Sequence, residues 1–318
     1  MKLTTPSSPH IRSGDRTPRI MGDVILALLP AAAAGVLVFG LRAAVVVVVC
    51  VAAALVGEGL WRRVSGQHNT LPDRSAALTG LLLALTLPAS VPYAVAAAGS
   101  LFAVVVVKGM CGGLGQNPFN PALAARAFLV LAFPEALTRY PARQAGVPLL
   151  GGADLVTAAT PLHKMQIPAL PADSLWDMFL GSIDGSIGET SALALLAGGT
   201  YLVVRRVISP RIPLAYLGSA AAVSLIFSQG QPPVRWMLYS LLGGGLLLGA
   251  IFMATDYASS PVTPRGQLLF GAGCGVLTVL FRYVGIFPEG VTYAILLMNG
   301  AVWLIEDCTP PRRFGTGR

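Results

Sequence analysis

CGGLGQNPFNPA, residues Cys111–Ala122, interrupts an apolar region that runs from Tyr93 to Met110 on one side and from Ala122 to Phe133 on the other. Pro118 and Pro121 each lack a backbone donor and restrict the residue before them, here Asn117 and Asn120. A single helix therefore cannot run through the stretch. Irregular backbone at membrane depth survives only where it is buried in protein or lines a cavity. One reading is a cofactor or ion site with the Asn117 and Asn120 amides as hydrogen-bond partners. The other is a cytoplasmic turn between two spans. The glycines are not a dinucleotide fingerprint, because no strand precedes them and no Rossmann helix follows.

Working outward, the chain of 318 residues is 54% hydrophobic and only 11% charged, against about 25% charged in soluble domains. The apolar surplus has no aqueous core to fill, so the expectation is a polytopic membrane protein. Ten apolar segments can be drawn: Ile20–Gly40, Ala43–Leu60, Ala76–Pro88, Tyr93–Met110, Ala122–Phe133, Ser191–Val204, Pro213–Phe227, Met237–Thr255, Gln267–Val284 and Gly290–Glu306. The first reads as an uncleaved span. With the N-terminus inside, 16 of the 22 basic residues fall in cytoplasmic segments, the bias of the positive-inside rule. Both termini are then cytoplasmic and the stretch 134–190 lies on the far side. This placement of the net charge of +8 favours the lipid bilayer over nucleic acid as partner.

Five spans in each half invert the second half relative to the first. The expected fold is all-α, a single integral membrane domain of about ten transmembrane helices in two inverted five-helix repeats: 1–133, then an extracytoplasmic loop 134–190, then 191–318. Asn69–Pro88 and Thr255–Leu280 echo each other, each running from an Asp-containing loop into a short apolar span. Inverted repeats often build a midplane site from broken helices.

Asp256 closes the eighth segment and is a candidate for gating or ion binding, or else a solvated carboxylate or a partner of Arg265. Asn299, in mid-span, needs a partner in the bundle. Glu306-Asp307 reads as an interfacial anchor. Cys50, Cys111, Cys274 and Cys308 have no CxxC spacing, and His68 and His163 are isolated, so no metal site is expected. No Ser/His/Asp nucleophilic set can be assembled, which argues against hydrolysis.

In the 134–190 loop, DLVTAATPL (Asp154–Leu162) is a polar island. Thr160 precedes Pro161, and proline favours the first position of a helix. A phosphate on the Thr160 oxygen would sit at a helix N-terminus, with His163 and Lys164 adding positive potential. By spacing alone, the favoured reading of Thr160 is an ordinary N-cap.

Arg19-Ile20-Met21, the SAALTGLLL run at Ser75–Leu83, GGLGQNPFNPA at Gly112–Ala122, Ala159-Thr160-Pro161-Leu162, Met253-Ala254-Thr255-Asp256, Arg265-Gly266 with Leu268–Ala272, and Pro288–Val291 with Leu296–Asn299 together resemble the RnfD family, the D-type membrane subunits of the Rnf electron-transport complex. The homologous membrane subunit of the sodium-translocating NADH:quinone reductase is a more distant match, usually with a longer N-terminal extension. The resemblance covers nearly the whole chain. It implies a multi-subunit complex of a bacterial inner membrane that passes electrons between ferredoxin and NAD, coupled to Na+ or H+ movement. It further implies FMN esterified through its phosphate to Thr160, attached by a separate flavin transferase, and a second, non-covalent flavin (riboflavin) in the membrane core. Asp154 and Thr157 match the family's attachment pattern around Thr160 and Pro161, while Ala158 stands where Gly is common and adds a methyl that disfavours positive φ. Asn117, Asn120 and Asp256 are the candidates for the core flavin or an ion. Implied partners are the other membrane, flavin and iron–sulfur subunits. The alternative readings are an inverted-repeat transporter or channel with no redox cofactor, a quinone-reductase-type membrane protein, and a structural scaffold.

Overall fold

The computed structural model describes residues 16–68, 70–138, 140, 174–181, 183–284 and 290–310. Among them there is helix and no strand. The first half holds α1 (Thr17–Phe39), α2 (Leu41–Val64), α3 (Ser75–Thr86), α4 (Tyr93–Gly109) and α5 (Pro121–Ala132). Two short helices follow, α6 (Pro134–Thr138) and α7 (Leu175–Leu180). The second half holds α8 (Ala192–Val204), α9 (Arg211–Ile226), α10 (Pro233–Leu242), α11 (Leu246–Met253), α12 (Pro264–Val284), α13 (Val291–Gly300) and α14 (Val302–Cys308).

Helix occurs in each of the ten apolar segments, but Met237–Thr255 and Gly290–Glu306 are each broken into two helices. Three helices, α1, α2 and α12, are long and apolar enough to cross a bilayer. The pairs α10–α11 and α13–α14 bend by 63° and 53° at short breaks, and counting each pair as one span brings the number to five. The remaining apolar helices α3, α4, α5, α8 and α9 are shorter. Large apolar side chains such as Leu37, Val64, Leu131 and Val284 point outward from these helices, the pattern of a lipid-facing surface. The molecule is a multi-pass helical membrane protein.

The two halves meet along two seams, α1 against α8 and α5 against α13. At the first seam Gly198 lets backbones touch, since a Cβ there would collide with the Ala27 carbonyl. Small residues at such crossings are what membrane helices use in place of a hydrophobic drive.

The helix breaks leave carbonyls that lipid cannot satisfy. Buried arginines take them. Arg126 donates to the Thr86 carbonyl at the end of α3. Arg42 donates to Ala89 and Ser90 at 3.0 and 2.9 Å, and stacks over the Tyr93 ring at 5.5 Å. In the other half Arg282 bonds the carbonyls of Ser240, Gly243 and Gly244 across the α10–α11 break. The backbone N–H groups of Ile187 and Gly188 complete the end of α3 by donating to Leu87 and Leu85.

Two spans end in π-helix. α4 changes from α to π over Phe102–Gly109, and α11 over Gly249–Met253. π-turns inside helices concentrate at functional sites. Both run into the polar loops that carry the candidate site.

Candidate functional site

A cavity opens between the halves at the ends of the two π-segments. Its wall includes Ile20, Met21 and Val24 from α1, Ser75, Leu78, Thr79 and Leu82 from α3, and Lys108 from α4. The Leu114–Ala122 stretch contributes Asn117, Asn120 and Pro121, and the second half contributes Phe252, Thr255, Asp256 and Tyr257. Its volume is about 70 Å³, or about 730 Å³ when the space of its open mouth is included.

Cys111–Ala122 divides into two parts. Its first part is an exposed turn, with Cys111, Gly112, Leu114, Gly115 and Gln116 in solvent. Its second part turns inward, and Asn117 and Asn120 are each only 3% exposed. Asn120 is the N-cap of α5: its side-chain oxygen accepts from Ala122 N–H at 3.0 Å and Leu123 N–H at 3.3 Å. Its amide donates to the Met253 carbonyl at 3.2 Å, across to the other half. The Asn120 backbone N–H donates to Asn299 Oδ1 at 3.4 Å, and Asn299 donates to the Ser259 carbonyl at 2.7 Å. Asn299 thus finds the bundle partner that its mid-span position requires.

Asn117 is different. Its amide nitrogen donates to the Phe119 carbonyl at 3.0 Å, but its Oδ1 is buried with no partner. A buried, unmatched acceptor on a cavity wall is costly unless something brings it a donor. The hydroxyl donors around it are engaged elsewhere. Thr79 donates to the Ser75 carbonyl, Thr255 to Ile251, Tyr257 to Val207, and Ser75 to Asp73. Asp256 accepts from Ser259 Oγ at 3.2 Å, and burial holds its carboxyl above the usual carboxylate range. This wall therefore suits a largely apolar ligand with N–H or O–H donors on its polar edge. An isoalloxazine imide and ribityl hydroxyls provide such donors, so the hydrogen-bonding chemistry of the wall matches a flavin.

Of the sequence-derived candidates, Asn117, Asn120 and Asp256 come together on this wall. Asp154, Thr157, Thr160 and Pro161 lie outside the described residues. A buried ion pair beside the cavity, Lys108 with Glu58, was not legible as a site. By sequence, Lys108 counts as one more cytoplasmic loop charge. The only signal was an acid–base pair inside apolar runs. No group of three or more His, Cys, Asp or Glu side chains is placed to hold a metal among the described residues.

The fold and the cavity between its halves define the class, a multi-pass helical membrane protein with a cavity at its broken helices. The family model described as NQR2, RnfD, RnfE matches residues 4–315, and the chain belongs to that family. It is 46% identical over 320 residues to the D subunit of the Na(+)-translocating ferredoxin:NAD(+) oxidoreductase complex of Acetobacterium woodii, covering 99% of this chain and 96% of the relative. It is 40% identical to the proton-translocating counterpart of Clostridium ljungdahlii, covering 99% of this chain and 97% of the relative. The D subunit of the ion-translocating oxidoreductase complex of Marinobacter nauticus is also 40% identical, with 99% of this chain and 96% of the relative covered.

Proposed function

We propose that this chain is the membrane flavoprotein subunit of an Rnf-type complex, relaying electrons between ferredoxin and NAD in a pathway coupled to Na+ or H+ movement. The observation that carries the reading is full-length similarity to the D subunits of such complexes, joined to a cavity whose free polar atom is a buried acceptor. The complex, not this chain alone, is the oxidoreductase. Its partners are the other membrane, flavin and iron–sulfur subunits, and a flavin transferase that loads Thr160.

Two flavin positions follow from this reading. FMN is esterified to Thr160 in the 134–190 loop, with Asp154, Thr157 and Pro161 forming the attachment motif. A non-covalent flavin, riboflavin by family resemblance, occupies the cavity at Asn117, Asn120 and Asp256. Flavins supply the one- and two-electron chemistry, and the protein supplies position and field. Asn117 Oδ1 accepts a donor from the ligand edge, Asn120 and Asn299 lock the wall across the two halves, and Phe252, Leu78 and Leu82 exclude water.

The topology belongs to the same proposal. The three long helices, two bent pairs and five shorter apolar helices among the described residues amount to ten apolar segments, five on each side of 134–190. They support two inverted five-helix halves with both termini in the cytoplasm and the Thr160 loop in the periplasm. Arg42, Arg62, Lys108, Arg126 and Arg282 are buried and do not vote as loop charges. The positive-inside bias survives their removal.

The test is flavin accounting on the complex. Acid-released flavin, together with fluorescence that stays on the denatured chain and disappears in Thr160→Ala, supports both positions. A colourless wild-type protein made with active transferase contradicts the reading and favours a transporter without a redox cofactor.

A further inference from the structure

Lys108 and Glu58 form a buried ion pair that the relay as described does not use. Both are 2% exposed. The Lys108 ammonium lies 2.8 and 2.9 Å from the two Glu58 oxygens and 2.5 Å from Ser75 Oγ. An ammonium has three donors, and all three are matched. Glu58 also accepts from Thr70 at 2.5 Å and has Arg62 one turn away at 4.0 Å. Such a pair is weak evidence for stability, since well-packed apolar residues usually serve as well. An ionisable side chain inside a membrane protein marks function by default.

The pair is oriented. Lys108 and Ser75 are on the cavity wall, while Glu58 stands behind them. The π-segment carries Lys108 to its position, closed by Met110 N–H donating to the Val105 carbonyl and Gly113 N–H to that of Lys108. Two helix N-termini face the same space, α3 opening at Ser75 and α5 at Pro121, and each presents the positive end of its dipole. The acidic group on the wall is Asp256, which enters from the other half.

We propose that Lys108, held by Glu58 and Ser75, is a positioning residue that biases the cavity toward positive potential, so that a flavin-class cofactor there is easier to reduce. This rests on the core-flavin reading above. Every Lys108 donor is engaged, so the effect acts through the field and not through a bond to the ligand. The redox step it tunes moves one electron from the outer flavin, which is oxidised, to the core flavin, which is reduced. No proton or bond is exchanged with Lys108. A cofactor that gains negative charge on reduction is favoured where positive charge is fixed and water is excluded.

The test is a spectroelectrochemical titration of the assembled complex carrying Lys108→Met, Glu58→Gln or both, with acid-released flavin measured in parallel. Lys108→Met is expected to disfavour reduction of the non-covalent flavin about tenfold, about 59 mV for one electron. Glu58→Gln is expected to shift it the opposite way. The covalent flavin should not move. The double variant removes both charges, so its shift has the sign of Lys108→Met and is smaller. If the single variants fail to assemble, the double variant decides. Equal-signed shifts in the single variants, or a double variant with wild-type potential, overturn the proposal while leaving the core flavin in place. Wild-type complex that releases no non-covalent flavin overturns the cofactor reading, and this proposal with it.

Discussion

At the scale of single residues, two asparagines three positions apart do different work. Asn120 is structural, capping α5 and tying it to Met253 and Asn299 of the other half. Asn120→Ala is expected to cost about 1 kcal/mol for the lost cap, with a further loss from the cross-half bond, read as a lower melting temperature in detergent. Asn117 has one local donor bond and an unmatched Oδ1. Asn117→Ala should leave the melting temperature of flavin-depleted protein nearly unchanged and weaken retention of the non-covalent flavin by about tenfold, the worth of one buried hydrogen bond. Flavin retained in full would make Asn117 a packing residue. Asp256 carries a pH prediction. Burial raises its folded pKa above the ordinary 3.8, so its contribution to stability is complete below that value and is lost as pH rises through the folded pKa. Asp256→Asn should flatten that part of the melting-temperature profile. Both asparagines were legible because proline follows each. Their division of labour was not, since it depends on which carbonyls from residues more than 100 positions away arrive beside them.

At the scale of elements, the broken helices are stable because buried arginines replace the missing backbone partners. Arg282 serves the carbonyls at Ser240, Gly243 and Gly244. Arg282→Met leaves those acceptors without a donor, at about 1–3 kcal/mol for each that stays dry. The expected result is a complex that assembles poorly or melts far lower, whereas a mutation at the exposed Arg235 should do neither. Helix positions could be read from apolar length and from Pro, Gly and Asn at the ends. The π-segments of α4 and α11 could not, because π and α segments share the same apolar pattern and differ by one residue in hydrogen-bond register. The same limit hid Lys108. Its placement among Val, Gly and Met looked like the end of a span, and only the packing of α2 against α4 shows that Glu58 faces it.

At the scale of the whole molecule, two halves of five apolar segments grip each other along α1–α8 and α5–α13 and enclose the cavity between their broken helices. The proposed orientation puts exposed Cys111 and Cys308 on the cytoplasmic side. A membrane-impermeant maleimide should label both in inverted vesicles and neither in right-side-out ones, and the reverse pattern would invert the topology. The stretch with Asp154, Thr157, Thr160 and Pro161 lies outside the described residues, and its proposed flavin chemistry is read from sequence and family. The most direct measurement is therefore flavin fluorescence of the denatured chain, co-expressed with an active flavin transferase, beside Thr160→Ala. The account predicts a fluorescent wild-type band and a dark variant. A dark wild-type band, or a variant that still glows, contradicts it.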